Sequence, residues 1–255
     1  MSVIIDFHTH IWRYAERVSN SVAESSSPDS LIGDMDEAGV DKAVMAPIAY
    51  CESPPIPILL DNEYLVSAVN KYPGRLHGLV EIDPRNPNAV EIARRNLGEG
   101  LSVLKLMPSR HSFFMSNHRL LDPLFSVCAE ARVPIFVLAL DDINSTPSQI
   151  EEMARTFPEI PAVVIGQMGR KWLFGEACLV AKRTDNVYLE TSDASLEVLD
   201  DSLSGAGARK VLYASHWPPN DMKGQLGRHR KVISDAGELS QVLGENAVRI
   251  LDSRK

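Results

Sequence analysis

Val3-Ile4-Ile5-Asp6-Phe7-His8-Thr9-His10 opens as a β-branched apolar run and closes on two histidines one residue apart. Such a run reads as a strand, here Val3–His8. Side chains two residues apart on a strand share a face, so His8 and His10 project together near its C-terminal end. Seven more runs of this kind follow: Lys42–Pro47, Leu76–Ile82, Ser102–Met107, Ile135–Leu140, Ala162–Gly166, Val187–Thr191 and Lys210–Ala214. Between them the apolar period switches from two to about 3.6. Helical stretches include Pro28–Ala38, Asn62–Lys71, Ala89–Leu97, Leu120–Ala131, Ser148–Phe157 and Leu239–Leu251, several opened by Asp, Asn or Ser as capping residues.

Eight βα repeats predict an α/β fold, a (β/α)8 barrel, with its site at the C-terminal mouth. An open doubly wound sheet has the same alternation, but no G-x-G-x-x-G opens a helix here. The 255 residues are read as one domain, residues 1–255, and the Ser-rich stretch Ser19–Ser27 as a long βα loop within it. Apolar runs break off well short of the roughly twenty residues a membrane span needs. With no basic leader before Val3, the expectation is a soluble, cytoplasmic protein. Cys51, Cys128 and Cys178 form no C-x-x-C pair, which suits a reducing compartment and buried thiols. A formal charge of −8 with no basic run argues against a nucleic-acid partner, leaving a small molecule as the expected ligand. Self-association into a homo-oligomer stays open.

Several segments, in order, resemble the amidohydrolase-2 branch of the amidohydrolase superfamily. They are Asp6-Phe7-His8-Thr9-His10, Val103-Leu104-Lys105-Leu106-Met107-Pro108, Arg132-Val133-Pro134-Ile135, Asn186-Val187-Tyr188-Leu189-Glu190-Thr191-Ser192, Trp217-Pro218 and Gly244-Glu245-Asn246-Ala247. The resemblance implies enzymes of small acids, including decarboxylases of aromatic or dienoic acids and lactonases of dicarboxylates. It also exposes three departures. Leu138 stands where the family carries a histidine ligand after the fifth strand, and Gln167 replaces the histidine after the sixth. Ser215-His216-Trp217-Pro218 replaces a Ser-Asp-Trp-Pro motif whose aspartate is catalytic.

Barrel closure makes the first and eighth strands neighbours, which brings His216 near His8 and His10. Three neutral imidazoles can hold one divalent ion, with zinc the expected metal, and generate a bound hydroxide. Kept off a metal, His216 suits general acid or base work at neutral pH. The ordinary reading of each histidine is packing and hydrogen bonding at the barrel top.

Lys105 lies where binuclear relatives place a bridging carbamate, yet Leu138 and Gln167 leave a second metal without ligands. It is read instead as a catalytic ammonium that holds substrate together with Gln167, Arg110 and Arg170, or as one partner of an ordinary salt bridge; for Arg110 and Arg170 a salt bridge or a solvated loop cation is the preferred reading. His111 and His118, with Phe113 and Phe114, are held in reserve as loop residues. Glu81 and Asp83 are candidates to line the pocket. Asp141 and Asp142 read as turn chemistry, while Tyr50, Cys51 and Glu52 lie in a Pro-rich loop without a base for the thiol. His77 and His229 are expected to be structural or exposed.

Three functions remain: hydrolysis of a C–O or C–N bond in a small carboxylate-bearing molecule, a metal-independent lactonase or lyase using the histidines alone, and a non-catalytic barrel that binds small acids. At most one metal per chain is expected, its occupancy rising with pH and with an anionic ligand.

Overall fold

The computed structural model describes residues 2–12, 26–47, 62–139, 142–166 and 172–253. Gln167, Arg170, Asp141, Tyr50, Cys51 and Glu52 lie outside these. Eight parallel strands follow chain order around one sheet: β1 (Ile5–Ile11), β2 (Lys42–Pro47), β3 (Leu76–Glu81), β4 (Val103–Leu106), β5 (Ile135–Leu138), β6 (Val163–Gly166), β7 (Val187–Glu190) and β8 (Val211–Leu212). The expected barrel is therefore present. Its strands are mostly shorter at the ends than the apolar runs, because residues such as Met107 continue the hydrophobic pattern without pairing to a neighbouring strand. The first runs the other way, since pairing with β2 and closure carry β1 past His8 to Ile11.

Closure falls between β1 and β8. Phe7 N donates to Tyr213 O at 2.9 Å, His216 N to His8 O at 2.9 Å and His10 N to Trp217 O at 2.8 Å. These bonds tie the histidine pair of the first strand to the segment after the last, as closure requires.

Helices cover the sheet: α1 (Pro28–Ala38), α2 (Asn62–Lys71), α3 (Ala89–Gly98), α4 (His118–Ala131), α5 (Pro147–Thr156), α6 (Phe174–Arg183), α7 (Leu196–Ala206) and α8 (Met222–Val232). The capping chemistry that marks their starts is in place. Ser27 accepts from Ser30 N ahead of Pro28, and Thr146 with Gln149 forms a capping box. No helix among the described residues is long and apolar enough to cross a membrane.

Strand alternation builds two apolar layers. Val44, Leu79, Val103, Phe136, Val164 and Leu212 fill the barrel, while Met45, Val80, Leu104, Val137, Ile165 and Leu189 face the helices. Cys128 and Cys178 are buried thiols on helices. Burial pushes the Cys178 thiol up to about 11 and moves Cys128 in the same direction, so both behave as small apolar side chains.

β1 departs from strict alternation. Ile5 and Asp6 pair with Lys42 and Ala43, but Thr9 and His10 pair with Met45 and Ala46. Phe7 and His8 thus stand opposite a single residue, a β-bulge. Phe7 joins the inner apolar cluster below the bulge, and His8 and His10 enter the barrel above it. The shared face inferred for the two histidines holds, while Asp6 is directed elsewhere.

The stretch Leu239–Leu251 is not one helix. It divides into α9 (Ala236–Ser240), a π-helical turn over Gln241–Glu245 and α10 (Asn246–Leu251). The reason lies at Gly244, where an added Cβ would meet Val3 O at 1.7 Å. The turn seats the backbone against the foot of β1, and Val242 O accepts from Tyr213 N at 3.0 Å. Asn246 Nδ2 donates to Ala208 O and Val211 O at 2.7 and 2.8 Å, fixing the approach to β8. Gly244→Ala is expected to cost about 1–3 kcal/mol, because the obstacle is backbone and not a movable side chain. Denaturant titration checks this, and a midpoint equal to wild type would show that the Val3 backbone gives way freely.

Candidate metal centre

The bulge and the closure bonds deliver three imidazoles to one point at the mouth. The His8 ring lies 4.7 Å from His10 and 5.1 Å from His216, and His10 lies 5.2 Å from His216, centroid to centroid. One ring nitrogen from each falls within 4.8 Å of the others. Sequence reasoning thus found the cluster, including the histidine some two hundred residues away.

The far side of each ring faces an acceptor. His8 Nδ1 is 3.4 Å from Ser192 Oγ and 3.6 Å from Glu190 Oε1. His10 Nδ1 is 3.3 Å from Pro47 O at the end of β2. His216 Nδ1 is 2.9 Å from Asp193 Oδ2. A ring whose Nδ1 carries the proton has its lone pair on Nε2. His8 Nε2 is buried without a hydrogen-bond partner among the described residues. That orphaned acceptor, with two other imidazoles beside it, fits a divalent cation. Burial holds His8 and His10 well below the ordinary imidazole range, which keeps them in the neutral form that binds metal.

Behind His8 the floor is apolar, with the Phe136 ring 4.7 Å away. Leu138, in place of the family histidine, packs in the same inner cluster and offers no donor atom.

Lys105 enters the barrel from β4 and is 1% exposed. Its Nζ lies 3.3 Å from Glu81 Oε2, itself on β3 and fully buried. Burial lowers the Lys105 pKa, and the Glu81 carboxylate works against that shift. A lysine read as an ammonium for substrate therefore already has a protein counter-ion. Asn62 of α2 fixes the backbone of Glu81 by accepting from its N–H at 3.1 Å and donating to its carbonyl at 3.0 Å. His111 Nε2 approaches Glu81 Oε1 at 3.9 Å, so this histidine is a buried part of the mouth. Arg110 is exposed on the loop after β4, near enough for its charge to press on Lys105.

Other residues take plainer roles. Asp142 accepts from Asn144 N at 2.9 Å, a turn as expected. Phe113 is buried and Phe114 exposed, while His118 bridges Asp122 and Glu152 on the surface. His77 meets Ser102 Oγ at 3.3 Å. His229 is buried, 2.9 Å from Thr191 Oγ1, and that hydroxyl accepts from Ala214 N, bracing the approach to His216.

Sequence reasoning missed Glu190, Ser192 and Asp193 as site residues. Glu190 and Ser192 continue the inward period of β7 from Tyr188, a signal present in the chain. Ser192 donates to Glu190 through both N and Oγ, at 2.8 and 2.9 Å.

Asp6, just below the bulge, accepts from His8 N at 3.2 Å and Ser215 N at 3.0 Å. Burial pushes its carboxyl from 3.8 up to about 7. An unfolded aspartate ionises near 3.9. Between the two values the folded state keeps a proton that the unfolded state gives up, so this group costs stability increasingly as pH rises from about 4 to 7. Asp6→Asn removes that dependence. The melting temperature of the variant minus that of wild type is expected to grow across this window and level off above it. A difference constant with pH would show that Asp6 ionises normally.

Fold and site together define a parallel (β/α)8 barrel with a three-histidine cluster at its mouth. A family model described as amidohydrolase matches residues 5–252, and the chain belongs to this amidohydrolase-2 family. No curated protein matches it. Among solved structures, an uncharacterized TIM-barrel protein from Bordetella bronchiseptica is similar at 19% identity and TM-score 0.79, over 98% of this chain and 99% of the other. The 2,6-dihydroxybenzoate decarboxylase from Rhizobium is similar at 13% identity and TM-score 0.76, over 99% of both chains. A 5-carboxyvanillate decarboxylase from Novosphingobium aromaticivorans, complexed with manganese, is similar at 16% identity and TM-score 0.75, over 98% of this chain and 96% of the other. These likenesses share the barrel.

Proposed function

We propose that the chain, as one barrel unit, is a divalent-metal-dependent lyase that removes CO2 from a small carboxylate-bearing molecule. The convergence of His8, His10 and His216 on one point carries this reading. An ion held there would supply Lewis acidity to the oxygens of the bound acid. Three imidazoles with no carboxylate among the nearest donors favour zinc over manganese or magnesium. Decarboxylation is preferred to hydrolysis for two reasons. Similar barrels are decarboxylases of aromatic acids, and the inner mouth is screened from bulk solvent, with His8, Glu81 and Lys105 at most 1% exposed.

The chain's own groups then divide the work. Phe136 and Leu138 exclude water from one side of the substrate. Lys105 holds a proton at Nζ in the buried mouth, where carbon needs one after CO2 departs, and Glu81 keeps it charged until then. Arg110, Gln167 and Arg170 bind the substrate's remaining polar groups. His216 acts as a ligand, since its Nε2 lone pair cannot also take a proton. The second reading is hydrolysis of a C–O or C–N bond at the same centre.

Elemental analysis of protein purified without chelator is expected to give one zinc-class ion per chain. A panel of hydroxybenzoates, dicarboxylates and lactones, followed for CO2 and for acid release, separates the readings. CO2 release abolished by chelation and restored by metal supports the lyase, and acid release without CO2 supports the hydrolase. Chelator-insensitive turnover would move the work to the histidines alone. Binding without turnover would make the barrel non-catalytic, and two tightly held ions per chain would overturn the site as described.

A further inference from the structure

Three neutral histidines alone leave a doubly charged ion uncompensated, which is why an anionic ligand is expected to raise its occupancy. The structure assigns that compensation to the protein. We propose that Glu190 and Asp193, which stand one atom layer behind the ligands, set the affinity of the three-histidine site for a divalent cation. The inference rests on reading the cluster as a metal site.

Both carboxylates face the Nδ1 side of a histidine. Glu190 Oε1 stands 3.6 Å from His8 Nδ1, with Ser192 Oγ between them in the network at 3.4 Å from the same nitrogen and 2.9 Å from Glu190 Oε2. Asp193 Oδ2 stands 2.9 Å from His216 Nδ1. An acceptor hydrogen-bonded there, as Ser192 Oγ is to His8, selects the tautomer with its proton on Nδ1 and its lone pair on Nε2. Asp193 lies close to His216 Nδ1 but outside hydrogen-bond geometry, so it acts on that ring through its charge, which makes the ring a stronger donor to a cation. The orphaned His8 Nε2 is the outcome of that selection. His10 differs, having only the neutral carbonyl of Pro47.

The two carboxylates come from one short stretch, Glu190-Thr191-Ser192-Asp193, at the end of β7. Asp193 and His216 each adopt a left-handed backbone, at φ 60° and 62°. Asn220 spans the two turns, donating to Asp193 Oδ1 at 2.8 Å and to Ser215 O at 3.1 Å. Such conformations in non-glycine residues cost about 1–2 kcal/mol each and persist where the surroundings hold them. Here they bring an aspartate and a histidine face to face.

The two effects differ in size. Glu190 is fully buried, so its charge acts on the ion unscreened, whereas the Asp193 side chain is 40% exposed and shares its field with solvent. Loss of a partner of this kind typically weakens metal binding about 10- to 100-fold. Glu190→Gln is expected at the upper end and Asp193→Asn near the lower.

The experiment uses full-length protein stripped with chelator and titrated with zinc(II) against a chromophoric competitor. Wild type, Glu190→Gln, Asp193→Asn and Ser192→Ala are compared with Glu197→Gln, a surface change that alters net charge by the same amount. Melting of each metal-free protein is recorded alongside. The expected result is weakened zinc binding in Glu190→Gln and Asp193→Asn, an unchanged constant in Glu197→Gln, and an unaltered metal-free melt for Asp193→Asn. Should Glu190→Gln not fold, Asp193→Asn and Ser192→Ala decide the matter. Wild type that binds zinc no more tightly than these variants overturns the role of the carboxylates and leaves the proposed function standing. Wild type that binds no zinc overturns both.

Discussion

Lys105→Met is expected to destabilise the protein by about 3–5 kcal/mol, the largest effect of any single substitution at the mouth. The substitution keeps the length and apolar stem of the side chain but strips Glu81 of its counter-ion inside the barrel. Both Glu81 oxygens lack a hydrogen bond among the described residues, so Lys105 at 3.3 Å supplies the compensation. Breaking a buried pair from one side leaves an uncompensated charge, whereas replacing both partners with apolar groups of similar volume is often neutral. The double variant Glu81→Leu/Lys105→Met should therefore recover most of the loss, and urea titration of the four proteins closes the cycle. Additive losses in the double variant would show that the two residues do not act as a pair. Catalysis is expected to stay lost in both lysine variants, separating the proton on Nζ from the stability of the pair.

The second large effect is kinetic. His216→Ala is expected to lower turnover by at least about 10²-fold, the lower bound for loss of a positioned acid–base or metal-binding group, while stability changes by no more than about 1 kcal/mol. The His216 ring packs on the His8 and His10 rings at the mouth and not among the apolar core residues, and its closure bond to His8 O is made by the backbone and survives the substitution. A thermal melt paired with rate constants for CO2 release tests this, and bound zinc should fall below one equivalent per chain. A collapsed melt with unchanged turnover would make His216 a structural residue.

Legibility followed the range of the interaction. The strands could be read because apolar alternation is local, and the cluster could be read because barrel closure is a rule of topology and not of side-chain detail. His216 was placed beside His8 on that rule alone. What stayed hidden depends on neighbours distant in sequence. Nothing in the run Val103-Leu104-Lys105 announces that Glu81 will face the lysine from the adjacent strand. The π-helical turn is equally silent, because Leu239–Leu251 keeps a helical period and only the approach of the Val3 carbonyl to Gly244 forces the departure. Glu190 and Asp193 had a local signal, two acidic residues at a strand end. The period of β7 placed Glu190 inward, but not which histidine it would meet.

The unmatched residue in β1 also bears on how this barrel tolerates insertions and deletions. Phe7 and His8 are consecutive yet share the interior, so the strand's lower and upper halves are offset by one position. Deleting Phe7 would restore regular pairing, with Ile5, His8 and His10 all still facing the interior. The loss of that one codon keeps every ligand in place, and its cost is the core volume of a buried phenyl ring, about 3–5 kcal/mol. Deleting Thr9 instead would break the two-residue spacing that puts His8 and His10 on one face. Two neighbouring single-residue deletions should therefore part company, one lowering stability and the other dismantling the centre.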